Sequence, residues 1–261
     1  MPNAASPTVR LGMLTPSSNT VLEPTTAALL SGAREGAGDV TVHVSRFRVT
    51  EIALSEAALG QFDDGGMLRA AELLADARVD VIAWNGTSAG WLGFERDERL
   101  CERITAATGI PACTTVLAYR EILQRTGATR IGLVTPYLPE VQARIRDNWA
   151  AAGFACPAER HLGRQDNFSF AEVSEDTVAS LVRDVAAEGC DAVAILCTNM
   201  RGALAAAGLE AQLGLPVYDS VAVTLWKCLS MTGLDPSRWG DLGRVFALPA
   251  ERGAEPARAL T

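Results

Sequence analysis

Leu11-Gly12-Met13-Leu14-Thr15-Pro16 is followed, 120 positions later, by Ile131-Gly132-Leu133-Val134-Thr135-Pro136. Each is a short apolar run that ends in a hydroxyl and a proline, which reads as a buried strand closing in a turn. A second phrase repeats in the same order. Asp80-Val81-Ile82-Ala83-Trp84-Asn85-Gly86-Thr87-Ser88 returns as Asp191-Ala192-Val193-Ala194-Ile195-Leu196-Cys197-Thr198-Asn199, a shift of 111, and Gly109-Ile110-Pro111 returns as Gly214-Leu215-Pro216, a shift of 105. Three matches in one order at similar offsets indicate a duplicated unit.

Between these phrases, short β-like runs alternate with longer Ala/Leu/Arg/Glu segments, the pattern of a parallel sheet flanked by helices. Strands are expected at 9–14, 40–44, 79–84, 130–134, 192–196 and 216–218. Helices are expected at 25–30, 66–76, 96–108, 115–124, 139–152, 174–188 and 221–229. Gly109 and Gly127 stand just past two of those helices, where a left-handed cap is wanted. The fold class that follows is α/β, with two pseudo-symmetric doubly wound parallel-sheet halves, an N-terminal one over 1–125 and a C-terminal one over 126–230. Residues 231–261 form an extension, part of which packs back on the first half, and the tail after Leu248 reads as loosely held. Loops after the strand C-terminal ends would then face each other across a cleft, where open parallel sheets bind ligands.

Composition narrows the partners. The chain has 261 residues, 23 basic against 31 acidic, for a formal charge of −8. That balance gives no long-range attraction to phosphate backbones or anionic lipid, so neither nucleic acid nor membrane is expected as a partner. The opening MPNAASPTVR lacks the pattern of a signal peptide, and no run approaches the roughly 18 apolar residues of a membrane span. A cytoplasmic location is expected. The six cysteines lack CxxC spacing and the two histidines, His43 and His161, lie in no ligand cluster, so no metal site is expected. An Ala-rich, acidic helical surface is compatible with a homo-oligomer.

Superposing the repeats pairs Gly86 with Cys197, Thr87 with Thr198 and Ser88 with Asn199. One half offers a thiol where the other offers nothing. Cys197 ends an apolar run and precedes a polar turn expected to open a helix, whose amides would lower the thiol pKa from about 8.5. The other reading of Cys197 is a buried core thiol. Gly86-Thr87-Ser88 has the donors of an anion cradle, and Pro16-Ser17-Ser18-Asn19-Thr20 supplies more; both also suit ordinary helix caps. Tyr137 adds a phenol. Trp84 and Trp91 flank the cradle and are expected to pack beneath it. No GxxxxGK[ST], GxGxxG or GxSxG pattern points to nucleotide or triad chemistry.

Together, Leu11 to Thr20, Gly86-Thr87-Ser88, Thr135-Pro136-Tyr137 and Leu196-Cys197-Thr198 resemble the aspartate/glutamate racemase superfamily, nearest its maleate cis-trans isomerase and arylmalonate decarboxylase branch. The resemblance implies cofactor-free chemistry on a small carboxylic acid. It implies Cys197 as the second-half cysteine and Gly86 as the position of the missing first one. Thr87, Ser88 and Tyr137 match the decarboxylase's carboxylate-binding hole, while Asn19, within a Pro16-Ser17-Ser18-Asn19-Thr20 stretch like that of the isomerases, and Thr198 are further carboxylate contacts. Two-base racemisation needs groups on both faces of the α-carbon, and glycine supplies neither acid nor base. A single protonated thiol suffices for stereospecific decarboxylation. A malonate-type decarboxylase therefore leads, with a maleate isomerase or Asp/Glu-type racemase, and a catalytically silent carboxylate binder, as alternatives. Restoring a thiol by Gly86→Cys is expected to introduce racemisation.

Overall fold

Strand β1 (Val9–Pro16) is buried from Leu11 to Pro16 without alternation, as a strand covered on both faces must be. Helix α1 (Leu22–Ser31) returns to β2 (Val40–Phe47), and α2 (Glu56–Gly60) and α3 (Asp64–Asp76) lead to β3 (Val81–Trp84). Then come α4 (Ala89–Leu92), α5 (Phe94–Thr108), β4 (Ala112–Thr114) and α6 (Thr115–Thr126). The second half runs β5 (Arg130–Thr135), α7 (Pro139–Ala151), β6 (Ala155–His161), α8 (Glu175–Ala187), β7 (Ala192–Ile195), α9 (Ala206–Leu213), β8 (Val217–Asp219) and α10 (Ser220–Met231). This computed structural model describes residues 8–33 and 39–250.

Two parallel four-stranded sheets result, ordered β2-β1-β3-β4 and β6-β5-β7-β8. The repeated phrases hold equivalent registers: Leu11 pairs with Val81 as Ile131 pairs with Ala192, and Leu14 pairs with Trp84 as Val134 pairs with Ile195. The loops leave at the same level too, Asn85 N–H donating to Leu14 O and Leu196 N–H to Val134 O, both at 2.9 Å. Gly12 and Gly132 share a cause. A Cβ at Gly12 would lie 2.8 Å from Val79 Cγ2, and one at Gly132 3.0 Å from Cys190 Sγ and Val185 Cγ2, so each sheet admits its neighbouring segment only over a bare backbone. Gly109 and Gly127 adopt φ of 72° and 69° as left-handed caps.

The halves are joined through their last helices. Tyr119 of α6 donates to Ile195 O (2.9 Å) and Tyr218 O (2.8 Å) of the second sheet, and Thr115 and Thr224 hydroxyls meet at 2.7 Å. Helix α10, although it follows the second sheet in sequence, packs against α1, α6 and β3 of the first. Two 3₁₀ turns, Pro236–Leu242 and Arg244–Ala247, lie against these helices, and Trp226 Nε1–H donates to Leu248 O at 3.0 Å. Residues 1–7, which open the sequence read for a leader, and most of the tail after Leu248 lie outside the described residues.

Besides β4, α2, α4 and α9, which are outside the strands and helices expected above, two points differ from the sequence reading. β6 escapes the apolar-run criterion because it is an edge strand, alternately buried and exposed at its start and bearing Pro157, which only an edge tolerates. The turn after Cys197 does not open a helix: α9 begins only at Ala206.

Candidate active site

The C-terminal ends of β1, β3 and β7 converge on a cavity of about 20 Å³ lined by residues of both halves. Pro16, Gly86, Thr87, Ser88, Tyr137, Cys197 and Thr198 line it, together with Ile52, Phe62, Trp84, Trp91 and Asn167. It is large enough for about one water. A surface cleft of about 540 Å³ beside Phe47 is far larger, but its lining, which includes Arg46, Arg48 and Arg69, contains no hydroxyl or thiol. The hydroxyls and the thiol line the small cavity.

Three side chains there adjoin one another. The Thr87 and Tyr137 hydroxyls meet at 2.6 Å, and the Tyr137 phenol stands near enough to the Cys197 thiol to favour its thiolate. Tyr137 is held by edge contacts to Trp91 and Phe170, at centroid distances of 5.3 and 5.6 Å. Burial pushes its phenol well above the usual range, so it remains a donor. Ser88 heads α4 without spending its hydroxyl as a cap.

Cys197 is 2 % exposed and its backbone follows the end of β7. Burial pushes its thiol up to about 12, opposed by the Asn199 N–H, which donates to Sγ at 3.4 Å, and by Tyr137. The expected downward shift is thus reversed. No helix starts beside Cys197 to supply amides, and desolvation of a thiolate outweighs two donors. The thiol carries its proton at neutral pH, which suits a proton donor and not a nucleophile.

Asn19 and Ser17 are outside the lining. Asn19 is fully buried, its Oδ1 accepting the N–H groups of Val21 and Leu22 at 3.0 Å ahead of α1, and its Nδ2 donating to Thr198 O and Oγ1 at 3.2 Å. It ties the first half to the loop after Cys197. Ser17 is exposed and exchanges bonds with the Val49 backbone. Thr198 Oγ1 in turn donates to Asn85 O at 3.1 Å.

Over the cavity, the segment from Val49 to Phe62 meets the loop Arg164 to Asn167: Ile52 N–H donates to Gln165 O at 2.9 Å and Asn167 N–H to Thr50 O at 2.9 Å. Ile52 and Asn167 fall within the two segments, 44–54 and 167–170, that the sequence offers as setting substrate side-chain size but does not place in the fold; Phe62 lies in neither, and nothing local marks it. Trp84 and Trp91 line the cavity rather than pack beneath it, and the indole N–H of each is buried without a partner. A Cβ on Gly86 would lie 2.0 Å from Trp84 Cζ2, so a thiol at position 86 meets the indole first. The described residues hold no cluster of three or more His, Cys, Asp or Glu placed to bind a metal, and no helix among them is long and apolar enough to cross a membrane.

Similar proteins carry the same architecture. A family model described as arylmalonate decarboxylase matches residues 38–246. A maleate isomerase of Pseudomonas putida is 29% identical over 235 residues, covering 87% of this chain and 93% of its own. The crystal structure of the maleate isomerase Iso from Pseudomonas putida S16 superposes with a TM-score of 0.84 at 28% identity, covering 92% of this chain and 98% of that one. An arylmalonate decarboxylase of Bordetella bronchiseptica is 27% identical over 169 residues, 64% of this chain and 70% of its own.

Proposed function

The chain belongs to the arylmalonate decarboxylase family, and we propose that within it this enzyme removes CO₂ from a malonate-type diacid and protonates the resulting carbanion from one side. The observation that supports this most directly is the asymmetry of the cavity: a protonated Cys197 on the second-half side, and on the first-half side Gly86 covered by Trp84.

One carboxylate is gripped by the hydroxyls of Thr87, Ser88 and Tyr137, which in this structure partly satisfy one another. The other faces Ile52, Phe62 and the indoles, where a charged group is poorly solvated and neutral CO₂ is not. The C–CO₂ bond breaks with its electron pair passing into the retained carboxylate as an enediolate. Hydroxyls already aimed at that oxygen pair can each be worth about 3–4 kcal/mol in the transition state. The S–H bond of Cys197 then breaks as the α-carbon takes its proton. The thiolate left behind is held by the Tyr137 O–H and the Asn199 N–H until water reprotonates it. No cofactor enters this scheme. A cavity with room for one water admits a diacid only when the Val49 to Phe62 segment parts from Arg164 to Asn167.

The maleate isomerase reading is favoured by the longer and closer match to maleate isomerases. It requires a nucleophile for the double bond, and the protonated thiol of Cys197 and the indole over Gly86 provide none. Incubation with a series of malonates and with maleate separates the two: CO₂ release is expected from a malonate, and fumarate formed from maleate without CO₂ release from malonates would replace this reading by isomerisation. Cys197→Ala is expected to abolish product formation almost entirely while carboxylate binding persists; full decarboxylase activity in that variant would refute the role of Cys197.

A further inference from the structure

Trp84 and Ile195 are the same position in the two repeats. Each is the last residue of its strand, opposite Leu14 or Val134 in register. Each has its carbonyl oxygen accepting from the hydroxyl that opens the helix after the neighbouring strand, Thr115 Oγ1 to Trp84 O at 3.2 Å and Ser220 Oγ to Ile195 O at 2.9 Å. Their side chains diverge. Ile195 lies against Gly202, where an added Cβ would come within 2.6 Å of its Cδ1, and it is not in the cavity lining. Trp84 does line the cavity, with Cζ2, Cε2 and Cη2 at 2.0 to 2.4 Å from where a Cβ of residue 86 would stand, and Phe47 backs it at a centroid distance of 5.0 Å.

The glycine and the tryptophan are therefore one device. Gly86 is without a side chain because the indole occupies that volume, and the indole fits only over a bare backbone. We propose that Trp84 is a specificity-determining residue of this enzyme: its ring seals the first-half face of the α-carbon, so that neither water nor a side chain from position 86 can deliver or remove a proton there. This rests on the decarboxylase reading and adds to it the source of stereochemical fidelity, which the absence of a thiol alone does not supply. Without the ring, water on that face could protonate the enediolate, its O–H bond breaking as the α-C–H bond forms and hydroxide leaving to bulk.

The test uses full-length protein and a malonate bearing two different α-substituents, with CO₂ release, product configuration and α-deuterium incorporation in D₂O as readouts. Wild type is expected to give one enantiomer. Trp84→Leu is expected to raise the minor enantiomer at least tenfold, with Trp84→Phe between the two. Gly86→Ala, whose Cβ would meet Trp84 Cζ2 at 2.0 Å and so forces the ring aside without adding a titratable group, is expected to raise the minor enantiomer at least fivefold. The double variant Trp84→Leu/Gly86→Cys is expected to exchange the product α-hydrogen at least tenfold faster than Trp84→Leu, the thiolate introduced at position 86 taking the α-proton and Cys197 returning one. A Trp84→Leu or Gly86→Ala product as pure as that of wild type would overturn the role of Trp84. Should neither Trp84 variant fold by circular dichroism, Gly86→Ala decides: a product as pure as that of wild type refutes the proposal and a raised minor enantiomer supports it. Wild-type protein that releases no CO₂ from any malonate overturns the decarboxylase reading and this proposal with it, an outcome distinct from CO₂ release with unaltered purity, which overturns Trp84 alone.

Discussion

Replacing Tyr137 by phenylalanine removes one oxygen from a network in which it does two things. Its phenol bonds to the Thr87 hydroxyl at 2.6 Å and favours the Cys197 thiolate, while its ring is wedged between Trp91 and Phe170. Phenylalanine keeps the ring contacts, so the cost to folding is that of one buried hydrogen bond, about 0.5–1.5 kcal/mol. The cost to catalysis is larger. In the transition state the enediolate loses a donor of the kind worth about 3–4 kcal/mol, which is a decrease in kcat of roughly 10²- to 10³-fold. Because the donor acts on charge that develops only as CO₂ departs, the loss is expected in kcat far more than in KM. Thr87→Val interrupts the same network one atom earlier. The double variant Thr87→Val/Tyr137→Phe is accordingly expected to lose much less than the product of the two single losses, since residues sharing one network are not additive. Steady-state CO₂ release for the four proteins, alongside thermal melts, measures both quantities. A Tyr137→Phe enzyme within threefold of wild-type kcat, or strictly multiplicative single losses, would refute the coupled network.

The pKa of about 12 at Cys197 predicts that alkylation by iodoacetamide at pH 8 is at least 100-fold slower than for a free cysteine, and that kcat shows no basic-limb loss assignable to this thiol below about pH 10; rapid labelling of Cys197 would contradict its protonated state. Asp219 is fully buried and burial raises it from 3.8 to about 7, against the Val221 and Ala222 N–H groups that its Oδ1 caps. Its folded pKa lies above its unfolded one, so its contribution is greatest below pH 3.8 and up to about 4 kcal/mol is lost as pH rises to 7. Asp219→Asn keeps the capping oxygen and is expected to flatten the fall in stability between pH 4 and 7 in urea titrations; an unaltered slope would rule this out. Asn19→Ala removes two capping bonds and the tie to Thr198 and is expected to cost about 1–2 kcal/mol in thermal or urea unfolding, whereas a loss under about 0.3 kcal/mol would show that the cap is dispensable.

What can be read from the sequence follows what the chain buries. β1, β3, β5 and β7 are central strands covered on both faces, and their unbroken apolar runs give them away. β4 is three residues long and β6 is an edge, so neither shows a long apolar run, whereas β8, equally short but buried throughout, is among the strands expected, at 216–218. The cavity hydroxyls are legible for a related reason: loops that follow repeated strands inherit the strands' register, which brings Thr87, Tyr137 and Cys197 together before any side chain is seen. Asn19 reads alike as ligand or cap until the partners of its two polar atoms are known. A local argument from helix amides misjudges the electrostatics of Cys197, because it omits the larger desolvation that packing imposes.

The least legible feature is the direction of Trp84, and it bears most on the chemistry. A strand's alternation assigns a side chain to a face, but at the last residue the chain is already turning and the pleat no longer decides. At Ile195 the side chain goes toward Gly202; at Trp84 it lies over Gly86 and into the cavity. Two glycines thus select two directions, each by leaving open the volume a large neighbour takes. In the second half that neighbour moves aside and a thiol remains at the cavity wall, and in the first half it fills the wall itself. A duplicated frame with matching registers thus carries an asymmetric cavity, set by where two residues of equal rank place their side chains.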